Sequence, residues 1–133
     1  DITHEYHLIE SDSEINELIK LIEQQNSVCF DTETTGLNPL TAELVGLSFS
    51  WEAHKGYYVY INLGDEQRVI DLFKPFFSND NIGKVAQNIK YDINVLLKFE
   101  QRCQSAQGQW SSFSRFSTAS ASTSTSTLSR KFS

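Results

Sequence analysis

The sequence predicts an α/β fold, with one mixed sheet and helices flanking it. Three observations carry that expectation. Strand-like runs follow one another between residues 27 and 63 with no helical run among them. Three further stretches, beginning near residues 12, 66 and 89, repeat apolar side chains at helical spacing. After residue 100 the composition changes abruptly. The resulting order, β-α-β-β-β-α-β-α, differs from an alternating parallel pattern, because consecutive strands without crossover helices pair antiparallel.

Each element has a local reason. Tyr6 to Ile9 reads as a short strand. Ser11, Asp12 and Ser13 are helix-capping residues, and Ser11 with Glu14, or Ser13 with Asn16, resembles a capping arrangement. Ile15, Leu18, Ile19 and Ile22 then recur at helical spacing, so residues 12–25 form an amphipathic helix that Asn26 ends. Val28, Cys29 and Phe30 make Ser27 to Asp31 an apolar strand covered on both faces. Gly36, Asn38 and Pro39 mark a turn. Glu43 to Trp51 and Tyr57 to Leu63 are the next strands, joined by a turn at Lys55 and Gly56, and the three pair as an antiparallel meander.

Val69, Ile70, Leu72, Phe73, Phe76 and Phe77 suit a helix over 66–77, with Pro75 near its end. Ile82 to Gln87 is a short strand. Ile89, Ile93, Leu96 and Leu97 then define one face of a last helix, with Asp92 opposite that stripe or at its border. Residues 104–133 are half serine and threonine, with eleven serines and four threonines. Their aromatic residues are too scattered to build a core. The chain therefore divides into an ordered part, 1–100, and a tail, 101–133, read as disordered or non-native.

Charge and composition narrow the function. The net charge is −6, yet Arg102, Arg115, Arg130 and Lys131 lie beyond the last acidic residue, Glu100, so residues 1–100 carry about −10. So acidic a surface attracts no polyanion unaided; divalent cations or a neighbouring domain must supply positive charge if the substrate is nucleic acid. No run of 18 apolar residues exists, so no membrane partner is expected. Cys29 and Cys103 have unlike surroundings and form no disulfide framework, which suits a reduced cytoplasmic setting. The chain contains no methionine, so it reads as a piece of a longer protein. His4, His7 and His54 are dispersed and read as surface residues. Tyr57, Tyr58 and Tyr60 read as packing or edge aromatics. Lys84 and Lys90 flank the second polar motif and read as solvated lysines within reach of a phosphate.

Two motifs carry chemistry. In Phe30-Asp31-Thr32-Glu33-Thr34, the carboxylates of Asp31 and Glu33 stand at i and i+2, on the same side of an extended chain. Side by side they repel unless a cation lies between them. A polar turn leaving a buried strand would look similar. In Gln87-Asn88-Ile89-Lys90-Tyr91-Asp92, Asn88 and Asp92 are one helical turn apart. A capped, solvated helix start would look similar too. Both motifs lie at predicted strand exits of one sheet, which can bring Asp31, Glu33 and Asp92 to one point. Three such carboxylates are costly without a hard divalent ion.

The run Phe30-Asp31-Thr32-Glu33-Thr34-Thr35-Gly36-Leu37 resembles the first motif of the DEDD 3′→5′ exonucleases. Gln87-Asn88-Ile89-Lys90-Tyr91-Asp92 resembles their second. Leu44-Val45-Gly46-Leu47-Ser48-Phe49 and Gly56-Tyr57-Tyr58-Val59 are similar to the strands between those motifs in the proofreading domain of bacterial family A DNA polymerases, and order and spacing hold to about Lys98. The resemblance implies a ribonuclease-H-like sheet, incomplete at its C-terminal end. It implies hydrolysis of a single-stranded DNA 3′ end with two Mg²⁺ or Mn²⁺ ions, beside a polymerase domain. Asp31 would bridge both metals, Glu33 would hold the metal that activates water, and Asp92 would serve the second. Thr34 and Leu37 would touch the terminal nucleotide, and Asn88 would position the site or substrate. The metals would lower the pKa of the attacking water and stabilise the leaving oxygen.

One part of the pattern is missing. The family carries a third motif, a Tyr or His four residues before a final Asp. Here the last acidic residue is Glu100 and the last tyrosine Tyr91. With the fourth carboxylate and the water-orienting group absent, one metal site is lost and weak or no activity is expected. A shifted reading frame would produce so abrupt a tail, and sequencing the encoding DNA in three frames tests that. Two other readings stay open: a non-catalytic docking module of the same fold, and an RNA exonuclease resembling ribonuclease D or T.

Overall fold

In the computed structural model, residues 4–102 and 116–118 are described. Their elements run β1 (Glu5–Ile9), α1 (Asp12–Ile22), β2 (Ser27–Thr34), β3 (Leu44–Glu52), β4 (Lys55–Tyr60), α2 (Glu66–Phe77), β5 (Gly83–Ala86), α3 (Ile89–Arg102) and β6 (Phe116–Thr118). The strands form one six-stranded mixed sheet in the order β1-β4-β3-β2-β5-β6. The β2-β3-β4 meander is antiparallel, while β1 joins β4, and β5 joins β2, in parallel. The α/β expectation is met.

α1 begins with a capping box. Ser11 Oγ accepts from Glu14 N, and Glu14 Oε1 accepts from Ser11 N. Ile15, Leu18, Ile19 and Ile22 face the core as their spacing requires. The helix ends at Ile22, three residues before the predicted limit, because Gln24 and Gln25 turn back to carbonyls three residues earlier and tighten the last turn. Phe30 of β2 and Phe49 of β3 are paired in register, and both are fully buried beneath α2. Phe49 stacks on Phe73, and Phe30 meets Phe77 edge-on. That aromatic cluster fixes β2 and β3 relative to α2.

Three expectations need correction. Strand β2 does not stop at Asp31. Its pairing with β3 continues through Asp31–Ser48 and Glu33–Gly46, so the first motif lies inside the strand instead of at its exit. The strand's outer residues Cys29, Asp31 and Glu33 are only half-buried, so β2 is not fully covered on both faces. Lys84 is not solvated. It is 1% exposed, donates to the Asn79 carbonyl, and lies over the rings of Phe76 and Phe116. Its four-carbon stem suits an apolar site as long as the ammonium has acceptors and aromatic faces.

The tail reading falls mostly outside the described residues, as does Cys103. The exceptions are residues 101–102, which continue α3, and residues 116–118, which add β6 to the sheet edge beside β5. Phe116 supplies the reason, since its ring packs against Phe30 and Phe77. Sequence pattern underrated it because one aromatic residue among serines carries no periodicity.

Candidate active site

Asp31 and Glu33 project from the same face of β2, as alternation dictates. The carboxylate of Glu33 accepts a 3.0 Å hydrogen bond from Ser48 Oγ on the neighbouring strand. Ser48 is fully buried. Gly46 lies opposite Glu33 in register, and its missing Cβ makes room for Tyr58. A methyl there would collide with the Tyr58 hydroxyl and meet the Val59 carbonyl at 3.0 Å.

Asp92 comes from the other side. β5 pairs with β2 only as far as Cys29, which leaves the rest of that β2 edge without a strand partner. Asp92 bonds to that edge instead. Its Oδ1 accepts from Thr32 N at 3.1 Å and from Thr32 Oγ1 at 2.5 Å. The sequence pattern set Asp92 opposite or beside the apolar stripe of α3. The helix is in fact turned by about one residue, so Asp92, Val95, Leu96 and Phe99 form the buried stripe. Phe99 and Val95 anchor that rotation, while Ile93 and Leu97 are half-buried. Asp92 is thereby carried into the interior, 3% exposed.

Burial sets the electrostatics. Asp31 is pushed from its ordinary 3.8 up to about 7, first by desolvation, then by the charges of Asp92 and Glu33, against one backbone hydrogen bond from Gln87. Asp92 is raised from 3.8 to about 6, again chiefly by burial; the two Thr32 bonds oppose the rise and the Glu33 charge adds to it. Glu33 is raised by burial and partly relieved by Ser48. Both aspartates therefore favour the protonated form more than free carboxyls do, and the Thr32 bonds relieve part of that rise on Asp92.

The donor chemistry fits a hard divalent cation. All three groups are carboxylates, and Asp92 Oδ2 is buried with no hydrogen-bond partner. The count falls short of a closed cage. Among the described residues no three Asp, Glu, His or Cys side chains are gathered tightly enough to hold one ion.

The remaining predicted residues lie on the same segments or beside them. Thr34 ends β2, and its hydroxyl lies 2.5 Å from that of Tyr91. Leu37 is 96% exposed on the following loop. Asn88 is exposed at the start of α3, where its carbonyl accepts from Asp92 N at 3.0 Å. Sequence reasoning missed Thr32, Ser48, Tyr58 and Tyr91. Thr32 and Tyr91 stood inside the motifs, but only the fold shows them facing each other's segment. Ser48 and Tyr58 required the strand register.

Comparison with known proteins identifies the family and the fold. A family model described as 3′-5′ exonuclease matches residues 6–110. DNA polymerase I of Borreliella burgdorferi is 32% identical over 97 residues, which is 68% of this chain and 10% of that protein. DNA polymerase I of Pseudomonas aeruginosa is 31% identical over 100 residues, 69% of this chain and 11% of the relative. The chain thus spans about a tenth of the length of these relatives. Two solved structures share the fold at low identity. The catalytic core of RRP6 from Trypanosoma brucei has a TM-score of 0.62 at 18% identity, covering 72% of this chain and 26% of that one. The Aedes aegypti Nibbler EXO domain has a TM-score of 0.57 at 15% identity, covering 79% and 45%. No described helix is long and apolar enough to cross a membrane. With the matched span covering most of the chain and both carboxylate-bearing segments inside it, this chain belongs to the DEDD 3′-5′ exonuclease family found in DNA polymerase I.

Proposed function

We propose that the chain is the exonuclease module of a DNA polymerase I-like protein, acting on a single-stranded DNA 3′ end, with Asp31, Glu33 and Asp92 as its metal carboxylates. The observation that supports this reading is the electrostatic coupling of Asp31 to Asp92 and Glu33 across β2 and α3, with Asp92 Oδ2 buried and without a hydrogen-bond partner. Bound Mg²⁺ or Mn²⁺ would supply Lewis-acid stabilisation of the charge that develops on the phosphate. The chain's own residues do the rest. Thr32 orients Asp92, Ser48 orients Glu33, and the Gln87 amide steadies Asp31. Thr34, Leu37 and Asn88 would meet the terminal nucleotide. A polymerase domain is the natural neighbour, and it would bring the positive surface that residues 1–100 lack.

Activity of this chain alone is expected to be weak, because no carboxylate follows Glu100 and no tyrosine follows Tyr91. The division into an exonuclease-like part, 1–100, and a tail, 101–133, belongs to the same proposal. The incomplete donor set also supports a second reading, a docking module that has kept the fold and lost the chemistry. A time course of 3′-end removal from labelled single-stranded DNA, in Mg²⁺ and then Mn²⁺, decides between them. Slow, metal-dependent shortening that vanishes in Asp31→Ala supports the enzyme. No shortening by folded protein leaves the docking module. Faster shortening of RNA than DNA would move the substrate to RNA, since the 2′-hydroxyl distinguishes the two.

A further inference from the structure

The loop after β2, residues 35–43, is closed at its neck and stapled to α3 at both ends. At the neck, Thr35 N donates to the Glu43 carbonyl at 3.0 Å, and Glu43 N donates to Thr35 Oγ1 at 2.9 Å. At the leading end, Tyr91 Oη donates to the Gly36 carbonyl at 2.6 Å. Each hydroxyl has one hydrogen. With Tyr91 donating to Gly36, Thr34 Oγ1 gives its hydrogen to Tyr91 Oη at 2.5 Å or shares it with the same carbonyl at 3.1 Å. At the trailing end, Lys98 Nζ donates to the Ala42 carbonyl at 2.7 Å.

Two leucines stand out on the loop between those staples. Leu37 is 96% exposed and Leu40 is 72% exposed. The staples come from the helix that carries Asp92, and Tyr91 is its immediate neighbour in sequence. Asp92 grips β2 at Thr32, while Tyr91 grips the strand's end two residues further on, at Thr34. One turn of α3 therefore fixes both the carboxylate site and the loop.

We propose that Tyr91 is a positioning residue, whose hydroxyl, assisted by Lys98, locks the 35–43 loop to α3 and so holds Leu37 and Leu40 at a set distance from Asp31 and Asp92 for docking of a nucleic-acid 3′ end. The docking half of this proposal rests on the exonuclease reading; the lock itself does not. The function assigned to the hydroxyl is mechanical: it ties the end of β2 and the start of the loop to α3. A free nine-residue loop would carry its leucines through many positions, and ordering it at each binding event would cost affinity.

The test uses the full chain as wild type, Tyr91→Phe and Lys98→Met. Phenylalanine keeps the ring that packs against the core, and methionine keeps most of the lysine stem. Amide hydrogen exchange is followed peptide by peptide, with urea midpoints as a check on global folding. Binding of a labelled single-stranded oligonucleotide in Ca²⁺ is followed by anisotropy. The expected result is exchange in residues 36–41 faster by roughly 2- to 10-fold in Tyr91→Phe, from loss of one hydrogen bond. Lys98→Met should loosen the 41–43 end, and oligonucleotide affinity should fall by a similar factor in both. Unchanged loop exchange in both variants overturns the lock. Faster exchange with unchanged affinity overturns its positioning role. If wild type binds no oligonucleotide, the exonuclease reading fails, and the exchange data alone then uphold or overturn the lock. If Tyr91→Phe does not fold, Lys98→Met upholds or overturns the lock at the other staple by the same measurements.

Discussion

Replacing Asp31 by asparagine should stabilise the metal-free protein in alkaline solution. The carboxyl of Asp31 is raised from 3.8 to about 7 by burial and by the charges of Asp92 and Glu33. At about 1.4 kcal/mol for each pH unit, that amounts to on the order of 4 kcal/mol against the charged form. Asp31 is half-buried and shares its strain with Asp92, so solvent screening and coupling bring the expected gain to roughly 2–4 kcal/mol. The direction follows from linkage. The folded chain holds this proton more tightly than the unfolded chain does. Its contribution to stability is complete below the ordinary value of 3.8 and is lost as pH rises through about 7. Asparagine removes the charge, keeps the shape and leaves an oxygen for the Gln87 amide. Urea unfolding in EDTA, read by circular dichroism at about pH 4, 6 and 8.5, measures the difference between variant and wild type. The gap should open with pH and be largest at the alkaline end. A gap independent of pH, or a variant less stable than wild type at about pH 8.5, would refute the argument that these carboxylates strain the fold.

Other predictions rest on single contacts. Thr32→Val keeps the strand former but removes the 2.5 Å bond to Asp92, so stability should fall by roughly 1–3 kcal/mol near pH 8 and by less near pH 4, as urea midpoints will read. Gly46→Ala drives a methyl into the Tyr58 hydroxyl and to 3.0 Å from the Val59 carbonyl, which is backbone and cannot swing aside. Thermal unfolding should show a loss of roughly 1–3 kcal/mol. Lys84→Met keeps the buried stem and deletes the ammonium's bond to the Asn79 carbonyl and its place over two rings. A loss of roughly 1–3 kcal/mol is expected, and a gain in stability would show that the buried charge is a net cost.

Much of the fold was legible because its signals are local. The capping box at Ser11 and the spacing of Ile15, Leu18, Ile19 and Ile22 define α1 without help from any other element. The meander could be inferred because three strand-like runs left no chain for crossovers. The two carboxylate segments were legible as motifs. Their three-dimensional relation was less so. Apolar spacing alone placed the α3 stripe on Ile89 and Ile93, whereas packing of Val95 and Phe99 turned the helix and buried Asp92. A periodicity weighs residues equally; a core weighs them by the volume they fill. Tyr91 was visible in the second motif, but the role of its hydroxyl depends on Gly36, 55 residues away in sequence. Lys84 was misread because an ammonium in a strand usually finds water, and nothing local announces that Phe76, Phe116 and the Asn79 carbonyl will enclose it.

The central proposal is that Asp31, Glu33 and Asp92, which do not by themselves close a cage, together provide the carboxylates for divalent-ion binding at β2 and α3. Mn²⁺ titration of the full chain by electron paramagnetic resonance, beside Asp31→Asn and Asp92→Asn, tests it most directly. The account predicts that wild type binds Mn²⁺ and that either substitution weakens binding by roughly ten-fold or more, since a charged ligand is lost in each case. Wild type that leaves Mn²⁺ free, or binding unaltered in both variants, would contradict it.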